Sequence, residues 1–255
     1  MRTMLTERIR QGFRTTRYPR GKPPAVSERF RGLPAIDASR CPKGCSGCVA
    51  ACPTGALRRA ADSSIKIDLG RCLFCTDCTD ACPAGALAFS RDHRLATRTR
   101  EDLVLGSQAL RLAAALERTT RRLFGRSLCL RQVSAGGCNA CEADSSVLTT
   151  IGWDMGRFGV RFVASPRHAD GLLVTGPVTR NMKRALEKTW EAVASPKIVI
   201  AVGACAISGG PFAGSPESLD GAASTVPVDL FVPGCPPHPL TILDGILRLL
   251  GRLSK

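Results

Sequence analysis

Short apolar runs alternate with helical stretches over the second half of the chain. The apolar runs, each typical of a buried strand, are residues 128–133, 160–164, 172–174, 198–202 and 230–232. The helical stretches are residues 143–151, 180–193 and 239–250. Strands that are apolar on both faces and alternate with helices indicate a parallel sheet covered by helices. We therefore predict a flavodoxin-like α/β domain over residues 127–255.

A repeat occupies the first half of the chain. The sequence PTGAL at residues 53–57 recurs thirty residues later as PAGAL at residues 83–87, and the cysteines before it recur as well. An internal duplication predicts two similar units related by a pseudo-twofold axis. We predict a small α+β domain over residues 37–98. Residues 99–126 are predicted to be a helical linker, with its helix over residues 101–124.

The first 36 residues form a basic arm. They hold nine Arg and Lys residues against Glu7 and Glu28, in a chain of net charge +15. Such an arm suits nucleic acid, an anionic membrane surface or an acidic protein partner. Aromatic residues make up only 5% of the chain, which is low for a surface that stacks bases, so we expect no nucleic-acid partner. We expect this arm, with a short amphipathic helix over residues 4–13, to dock on a partner subunit or on the membrane face.

Hydropathy and cysteine content indicate a protein of the cytoplasm. The N-terminus is charged and has no apolar signal segment, and 255 residues are too many for a secreted disulfide scaffold. The longest uncharged run, residues 198–216, is interrupted by glycines and by Pro211, so we predict no membrane-spanning helix. The thirteen cysteines are therefore expected to bind metal rather than to form disulfides.

Eight cysteines form two runs with the signature of a two-cluster ferredoxin, C-x2-C-x2-C-x3-C-P. In that signature the fourth cysteine of each run binds the other cluster, and soft thiolates suit iron–sulfur iron. The predicted ligand sets of two 4Fe-4S clusters are Cys41, Cys45, Cys48 with Cys82 (the first set) and Cys72, Cys75, Cys78 with Cys52 (the second set). Three residues instead of two separate Cys41 from Cys45, so one alternative is that Cys41 does not ligate. A zinc site is the other alternative for this region.

Four further cysteines lie in glycine- and proline-rich loops that follow predicted strands. Cys138 and Cys141 follow the first strand, Cys205 the fourth and Cys235 the fifth. The carboxyl ends of parallel strands meet at one edge of a sheet, where ligands bind. We therefore expect these four cysteines, the third set, to converge. Cys129, inside the first strand, is expected to be a buried small hydrophobe.

Residues 127–255 resemble the small-subunit family shared by membrane-bound, formate-hydrogenlyase-type nickel–iron hydrogenases and the cluster subunit of respiratory complex I. The resemblance rests on the three cysteine loops, on residues 173–182 and on the match from Pro233 to Gly245. Residues 1–105 resemble the ferredoxin-like subunit of the same complexes, through Tyr18-Pro19, residues 30–32 and residues 69–75. The chain thus resembles a fusion of two neighbouring subunits.

The resemblance implies a third 4Fe-4S cluster on Cys138, Cys141, Cys205 and Cys235. It implies an electron-transfer subunit of a nickel–iron hydrogenase complex, peripheral on the cytoplasmic side of the inner membrane. The implied partners are a nickel–iron large subunit, membrane-anchor subunits and a redox donor such as formate dehydrogenase, CO dehydrogenase or ferredoxin. The alternatives are a cluster subunit of a complex-I-like quinone oxidoreductase, and a redox-sensing or assembly iron–sulfur protein. The complex I subunit carries adjacent cysteines in the first loop, whereas two residues separate them here, as in the hydrogenase branch.

Two acidic residues stand beside the third set. Glu142 and Asp144 begin a predicted helix. They are a proton relay, for which Glu142 is the candidate, or they form an interface hydrogen bond to the large subunit, or they are acids favoured by the helix dipole. No histidine shows the pairing of a metal ligand, and for His238 we expect a surface or partner contact. The chain has no G-x-G-x-x-G segment and no P-loop, so we predict no nucleotide site.

Overall fold

The computed structural model describes residues 3–12, 14–42, 44–61, 64–106 and 109–253. Its strands are β1 (Pro34–Ile36), β2 (Leu57–Arg59), β3 (Ile65–Asp68), β4 (Leu87–Phe89), β5 (Val104–Leu105), β6 (Leu128–Ser134), β7 (Val160–Phe162), β8 (Gly171–Thr175), β9 (Ile198–Val202) and β10 (Leu230–Val232). Its α-helices are α1 (Met4–Gln11), α2 (Gly47–Ala50), α3 (Asp77–Asp80), α4 (Arg118–Phe124), α5 (Ala140–Val147), α6 (Arg180–Ala192), α7 (Ala204–Ser208) and α8 (Pro239–Leu249). Short 3₁₀ turns lie at Ala38–Arg40, Glu101–Leu103, Met155–Phe158, Pro166–His168, Gly210–Phe212 and Ala222–Ser224.

Strands β6 to β10 form one parallel sheet in the order β10-β9-β8-β6-β7. Every residue of β8 and β9 is buried, as expected of strands that are covered on both faces. The five predicted apolar runs correspond to these strands, so the predicted flavodoxin-like parallel sheet is confirmed. The direction of winding reverses between β6 and β8, and this switch point is where open α/β sheets bind their ligands.

Helix α8 lies in the core. All 11 of its residues are buried, including Asp244 and Arg248. The helix contacts β10 and α5 of the sheet domain. It also meets the N-terminal half of the chain, since a Cβ added to Gly245 would lie 2.7 Å from the Cβ of Ala96. The N-terminal half therefore packs directly against the sheet domain.

The two cysteine runs fold alike. Each contains a helix of four residues, α2 or α3, and each is followed by a strand of three residues, β2 or β4. β2 pairs antiparallel with β3, and β4 pairs antiparallel with β1. The predicted α+β ferredoxin-type region is confirmed. Its proposed limits, residues 37–98, stay a prediction, because β1 precedes them and β5 joins its sheet from beyond them.

The helix predicted for residues 101–124 is wrong over most of its length, since only α4 at its end is an α-helix. β5 pairs with β3 instead. Further on, the amide of Ala113 donates to the carbonyl of Ala96 at 2.8 Å, and the amide of Leu116 donates to the carbonyl of Leu249 at 2.9 Å. These long-range bonds, with the burial of Ala113 and Leu116, outweigh the local preference for a helix.

Much of the basic arm is bound to its own chain. Helix α1 matches the predicted helix as far as Gln11, and Phe13 lies outside the described residues. The amide of Thr16 donates to the carbonyl of Gly152 at 2.9 Å, Tyr18 is buried, and β1 pairs with β4. Docking of residues 1–36 on another molecule stays a prediction. Helix α1 buries none of its residues, so it is the part of the arm that is available to dock. None of the described helices has the length and apolar character needed to cross a membrane.

Candidate iron–sulfur sites

The four thiols of the first set lie together. The pKa of Cys48 is raised by burial first, and then by the charges of Cys82, Cys41 and Cys45. Cys82 comes from the second run, which is the crossed arrangement of a two-cluster ferredoxin. Cys41 is therefore near its predicted partners despite the extra spacer residue. Its role as a ligand stays a prediction, which this placement favours.

The second set lies together in the same crossed way. Burial raises the pKa of Cys72 to about 12 and the pKa of Cys78 to about 11. The charges of Cys52 and Cys75 contribute to both shifts, and Cys52 comes from the first run. A thiol that burial keeps neutral becomes a thiolate when a metal displaces its proton. These buried sulfurs are therefore suited to metal rather than to free thiolate chemistry.

A backbone amide points at the fourth cysteine of each run. The amide of Ala56 donates to Sγ of Cys52 at 3.2 Å, and the amide of Ala86 donates to Sγ of Cys82 at 3.3 Å. The glycine before each alanine has a φ of 60° or 54°, a left-handed conformation that turns the amide back toward the sulfur. Amide donors to sulfur tune the potential of a bound cluster. The repeated segment thus supplies one amide–sulfur bond per copy.

The third set assembles at the carboxyl edge of the parallel sheet. Cys138 and Cys141 follow β6, Cys205 lies in α7 directly after β9, and Cys235 follows β10. The pKa of Cys141 is raised by burial and then by the charges of Cys205, Glu142, Cys235 and Cys138. Burial raises the pKa of Cys205 to about 11. Cys138 and Cys235 are exposed whereas Cys205 is buried, so one side of this set faces outward.

Glycines let the loops of the third set approach one another. Gly203 has a φ of 92°, and a Cβ added there would lie 2.5 Å from Sγ of Cys141. A Cβ added to Gly176 would lie 2.5 Å from the amide nitrogen of Gly137. Both distances are shorter than van der Waals contact. The placement of Cys141 therefore depends on a backbone approach that only glycine permits.

The donor sets fit clusters better than single ions. Within the described ranges, no three His, Cys, Asp or Glu side chains are placed to hold one metal ion. Zinc needs its four donors around one point. A 4Fe-4S cluster is larger and is held by four thiolates. Three sets of four neighbouring thiols, two of them with amide–sulfur bonds, have the donor chemistry that such clusters require.

The second set lies between the other two. Although Cys235 of the third set is exposed on one side, its pKa is raised by partial burial first, then by Cys138 and by Cys75 of the second set. The pKa of Cys78, in the second set, is raised in part by Cys48 of the first set. The spacing of the cysteines alone did not indicate which ferredoxin-type set would lie nearer to the third. The three sets therefore form a row.

Glu142 joins two strand ends at the switch point. Its side chain is buried, and its Oε1 accepts hydrogen bonds of 2.6 Å from the hydroxyls of Ser134, which ends β6, and Thr175, which ends β8. The relay, interface and helix-dipole interpretations of Glu142 all stay predictions. The geometry adds a structural role, because the carboxylate ties two strands together beside Cys141. Sequence reasoning missed Ser134 and Thr175, although a polar residue at the end of an apolar strand was a usable signal.

A cavity of about 440 Å³ lies between the second and third sets and is lined by Asp144 and His238, among others. Burial raises the pKa of Asp144. His238 is half-buried, and the surface or partner contact expected for it stays a prediction. Its Nδ1 accepts a 3.1 Å hydrogen bond from the amide of Leu240 at the start of α8, and its ring contacts Phe30 and Trp153 edge-on. The burial of the ring among these neighbours lowers the pKa of His238.

Cys129 lies apart from the three sets. It is buried in β6, as predicted. Its Sγ also accepts a 3.1 Å hydrogen bond from Nε of Arg161, a polar contact that the apolar pattern of the strand did not predict.

Crossed ferredoxin-type thiol sets, joined to a parallel sheet that carries four more thiols, define an iron–sulfur protein. Residues 40–86 match the 4Fe-4S dicluster domain, and residues 138–249 match the family described as NADH ubiquinone oxidoreductase, 20 Kd subunit. The chain belongs to this 20 Kd subunit family and binds 4Fe-4S clusters through its dicluster domain. The resemblance inferred from the sequence is confirmed.

Curated relatives belong to oxidoreductase complexes. The probable membrane-bound hydrogenase subunit mbhJ of Pyrococcus furiosus is 45% identical over 52% of this chain and 80% of its own length. Formate hydrogenlyase subunit 7 of Escherichia coli is 40% identical over 56% of each chain. An NADH-quinone oxidoreductase subunit of Heliobacterium modesticaldum is 39% identical over 48% of this chain and 70% of its own length. This chain therefore spans only about half the length of the E. coli relative.

Proposed function

We propose that this chain is the electron-transfer subunit of a membrane-associated nickel–iron hydrogenase complex. The observation that carries the proposal is the row of thiol sets, in which Cys75 of the second set adjoins Cys235 of the third. When bound, three 4Fe-4S clusters would carry electrons one at a time. The chain's own part is to fix their order, to donate amides to their sulfurs and to exclude water from their buried side.

The third set is the end of the row that faces a partner. Cys138 and Cys235 are exposed, and a redox centre open to water on one side is suited to being covered by another protein chain. We propose that a large subunit with a nickel–iron centre packs there. The first set, at the other end, would exchange electrons with formate dehydrogenase, CO dehydrogenase or a ferredoxin. Membrane-anchor subunits would hold the complex peripherally at the cytoplasmic side of the inner membrane.

The spacing of the first cysteine loop favours a hydrogenase. Asn139 and Ala140 separate Cys138 from Cys141, and Asn139 takes a left-handed φ of 71° to start α5. The relatives named as hydrogenase and formate hydrogenlyase subunits support the same choice. The second candidate is a complex-I-like quinone oxidoreductase, which the family name and the NADH-quinone oxidoreductase relative support.

The proposal is tested on the native complex, purified through a tag on this chain. We expect nickel, about twelve iron atoms per chain and viologen-linked hydrogen turnover. Iron with quinone reduction, but without nickel or hydrogen turnover, would replace the hydrogenase by the quinone oxidoreductase. Iron with no co-purifying oxidoreductase subunit would instead support a redox-sensing or assembly protein.

Two cysteine variants separate electron transfer from folding. Cys75→Ser removes a predicted ligand in the middle of the row, so hydrogen-linked reduction of ferredoxin should be lost while hydrogen–deuterium exchange at the partner persists. Cys129→Ser changes a cysteine outside the three sets, and it should retain both activities. Ferredoxin reduction that survives Cys75→Ser would contradict a path through the second set.

A further inference from the structure

We propose that a basic cavity between the N-terminal arm and the sheet domain binds the phosphate of an anionic phospholipid headgroup. The cavity has a volume of about 670 Å³. Four arginines, Arg17, Arg20, Arg157 and Arg252, are among the residues that line it, and no described Asp or Glu is. It lies apart from the thiol sets, none of whose cysteines contributes to its lining.

Two of these arginines are held in place by neutral acceptors. Arg157 donates to the backbone carbonyls of Thr16 and Tyr18, the latter at 2.7 Å, and its guanidinium lies 4.7 Å from the centroid of the Phe158 ring. Arg252 donates to the backbone carbonyl of Gly125. Carbonyl oxygens orient a guanidinium but leave its positive charge uncompensated. The cavity is therefore preorganised for an anion.

The remaining wall chemistry selects a phosphate. A guanidinium presents a planar fork of donors that matches two phosphate oxygens, which is why arginine is favoured in phosphate sites. The hydroxyls of Thr15 and Thr16 lie on the same cavity and add uncharged donors. Phe158 adds an apolar surface, which suits the carbon atoms of a lipid better than a bare ion.

The arm that forms one wall also indicates the source of the phosphate. Helix α1 ends four residues before the first cavity residue, Thr15, and it exposes Met4 by 93%, Leu5 by 70% and Ile9 by 72%. A basic segment with exposed apolar side chains is typical of proteins that bind an anionic membrane surface. The choice of a lipid rather than a free phosphate compound rests on the membrane association proposed above.

The test uses the full cluster-loaded chain and a water-soluble, short-chain phosphatidylglycerol, with binding measured by calorimetry. Arg20→Gln removes a cavity charge whose side chain has no structural bond among the described residues. Arg122→Gln, on the exposed face of α4 outside the cavity, makes the same change in net charge. We expect Arg20→Gln to weaken binding about tenfold, the loss of one charge-assisted hydrogen bond, and Arg122→Gln to change it less than twofold.

Each other outcome overturns a defined part of the proposal. Equal weakening by the two substitutions would mean that the lipid senses net charge and not the cavity. Inorganic phosphate that binds as tightly as the lipid would overturn the lipid assignment in favour of a free phosphate compound. Binding by the isolated chain but not by the native complex would make the cavity a contact between subunits. Because calorimetry measures no hydrogen turnover, this proposal and the proposed function can fail separately.

Discussion

The phenol of Tyr18 donates a 2.6 Å hydrogen bond to Oδ1 of Asp244, 226 residues further along the chain, and both side chains are buried. Oδ2 of the same carboxylate accepts a 2.7 Å hydrogen bond from Nε of Arg248. The Tyr18 ring meets the ring of His93 edge-on, with the centroids 5.8 Å apart. Burial first, and then Asp244, raise the pKa of Tyr18. This buried cluster joins the arm, the ferredoxin-type region and helix α8.

Tyr18→Phe should lower the free energy of unfolding by about 1–3 kcal/mol, because it keeps the ring and leaves a buried carboxylate with one donor fewer. Urea unfolding of the cluster-loaded chain measures the change. Thr241→Val is the matched control, since the buried Thr241 hydroxyl on the same helix has no hydrogen-bond partner. That substitution should be neutral or stabilising. Equal losses in the two variants would show that the Tyr18–Asp244 bond makes no specific contribution.

The stability of the chain should fall as the pH falls below about 6.5, the ordinary pKa of histidine. Burial lowers the pKa of His93, against the opposing effect of Asp244, and Nε2 of His93 has no hydrogen-bond partner. Below its ordinary pKa the unfolded chain binds a proton at His93 that the folded chain does not, so protonation favours unfolding. The contribution of His93 to the free energy of unfolding is fully present above pH 6.5 and is lost as the pH falls. Its loss lowers the free energy of unfolding by at most about 1.4 kcal/mol per pH unit.

His93→Phe tests this pH dependence against His168→Phe, which alters an exposed histidine. Unfolding midpoints at pH 7.5 and pH 5.5 give the slope for each variant. The slope should become shallower with His93→Phe and stay unchanged with His168→Phe. An unchanged slope in His93→Phe would assign the acid sensitivity to other groups, such as His238.

The sheet and the convergence of its cysteines were predictable because they depend on short-range patterns. β9 is a run of five apolar residues, which is typical of a strand buried on both faces. Once such strands are parallel, their carboxyl ends share one edge, so Cys205 and Cys235 had to meet there. The crossed ferredoxin sets followed in the same way from the duplicated spacing.

What could not be predicted depends on docking between distant segments. The segment around Ala113 and Leu116 has a helix-compatible pattern, yet it is not helical, and the amides of these two residues bond to the carbonyls of Ala96 and Leu249. Neither partner is visible in a local window of sequence. The contact between the second and third thiol sets and the basic cavity likewise arise only when the two halves of the chain pack together.

Gly203→Ala should remove the cluster proposed for the third set and spare the two proposed for the first and second sets. The added methyl group would lie 2.5 Å from Sγ of Cys141, so that thiol must move. We expect the iron content to fall by about four atoms per chain while the ferredoxin-type signals persist in electron paramagnetic resonance spectra. Gly214→Ala is the matched control, because Gly214 also has a positive φ, 77°, but nothing lies within 4 Å of an added Cβ. If both variants lost the same iron, backbone strain and not the contact with Cys141 would be the cause.

Arg31→Gln should lower the reduction potential of the cluster in the second set. Nη1 of Arg31 donates to the carbonyl of Phe74 at 2.9 Å and lies 3.4 Å from the carbonyl of Cys75, which places a positive charge on the loop between two predicted ligands. A positive charge favours the more negative, reduced cluster, so its loss disfavours reduction. The exposed side chain is screened by water, and we expect a shift of roughly 20–60 mV, about 0.5–1.4 kcal/mol for one electron.

A redox titration followed by electron paramagnetic resonance measures this shift for each cluster signal. Arg29→Gln is the control, because it removes the same charge from the same cavity wall but from a side chain without a bond to the cysteine loop. The shift should be larger in Arg31→Gln and confined to one cluster signal. Equal shifts in the two variants, or a shift spread over all signals, would mean that the cluster senses the net charge of the arm rather than the bond from Arg31.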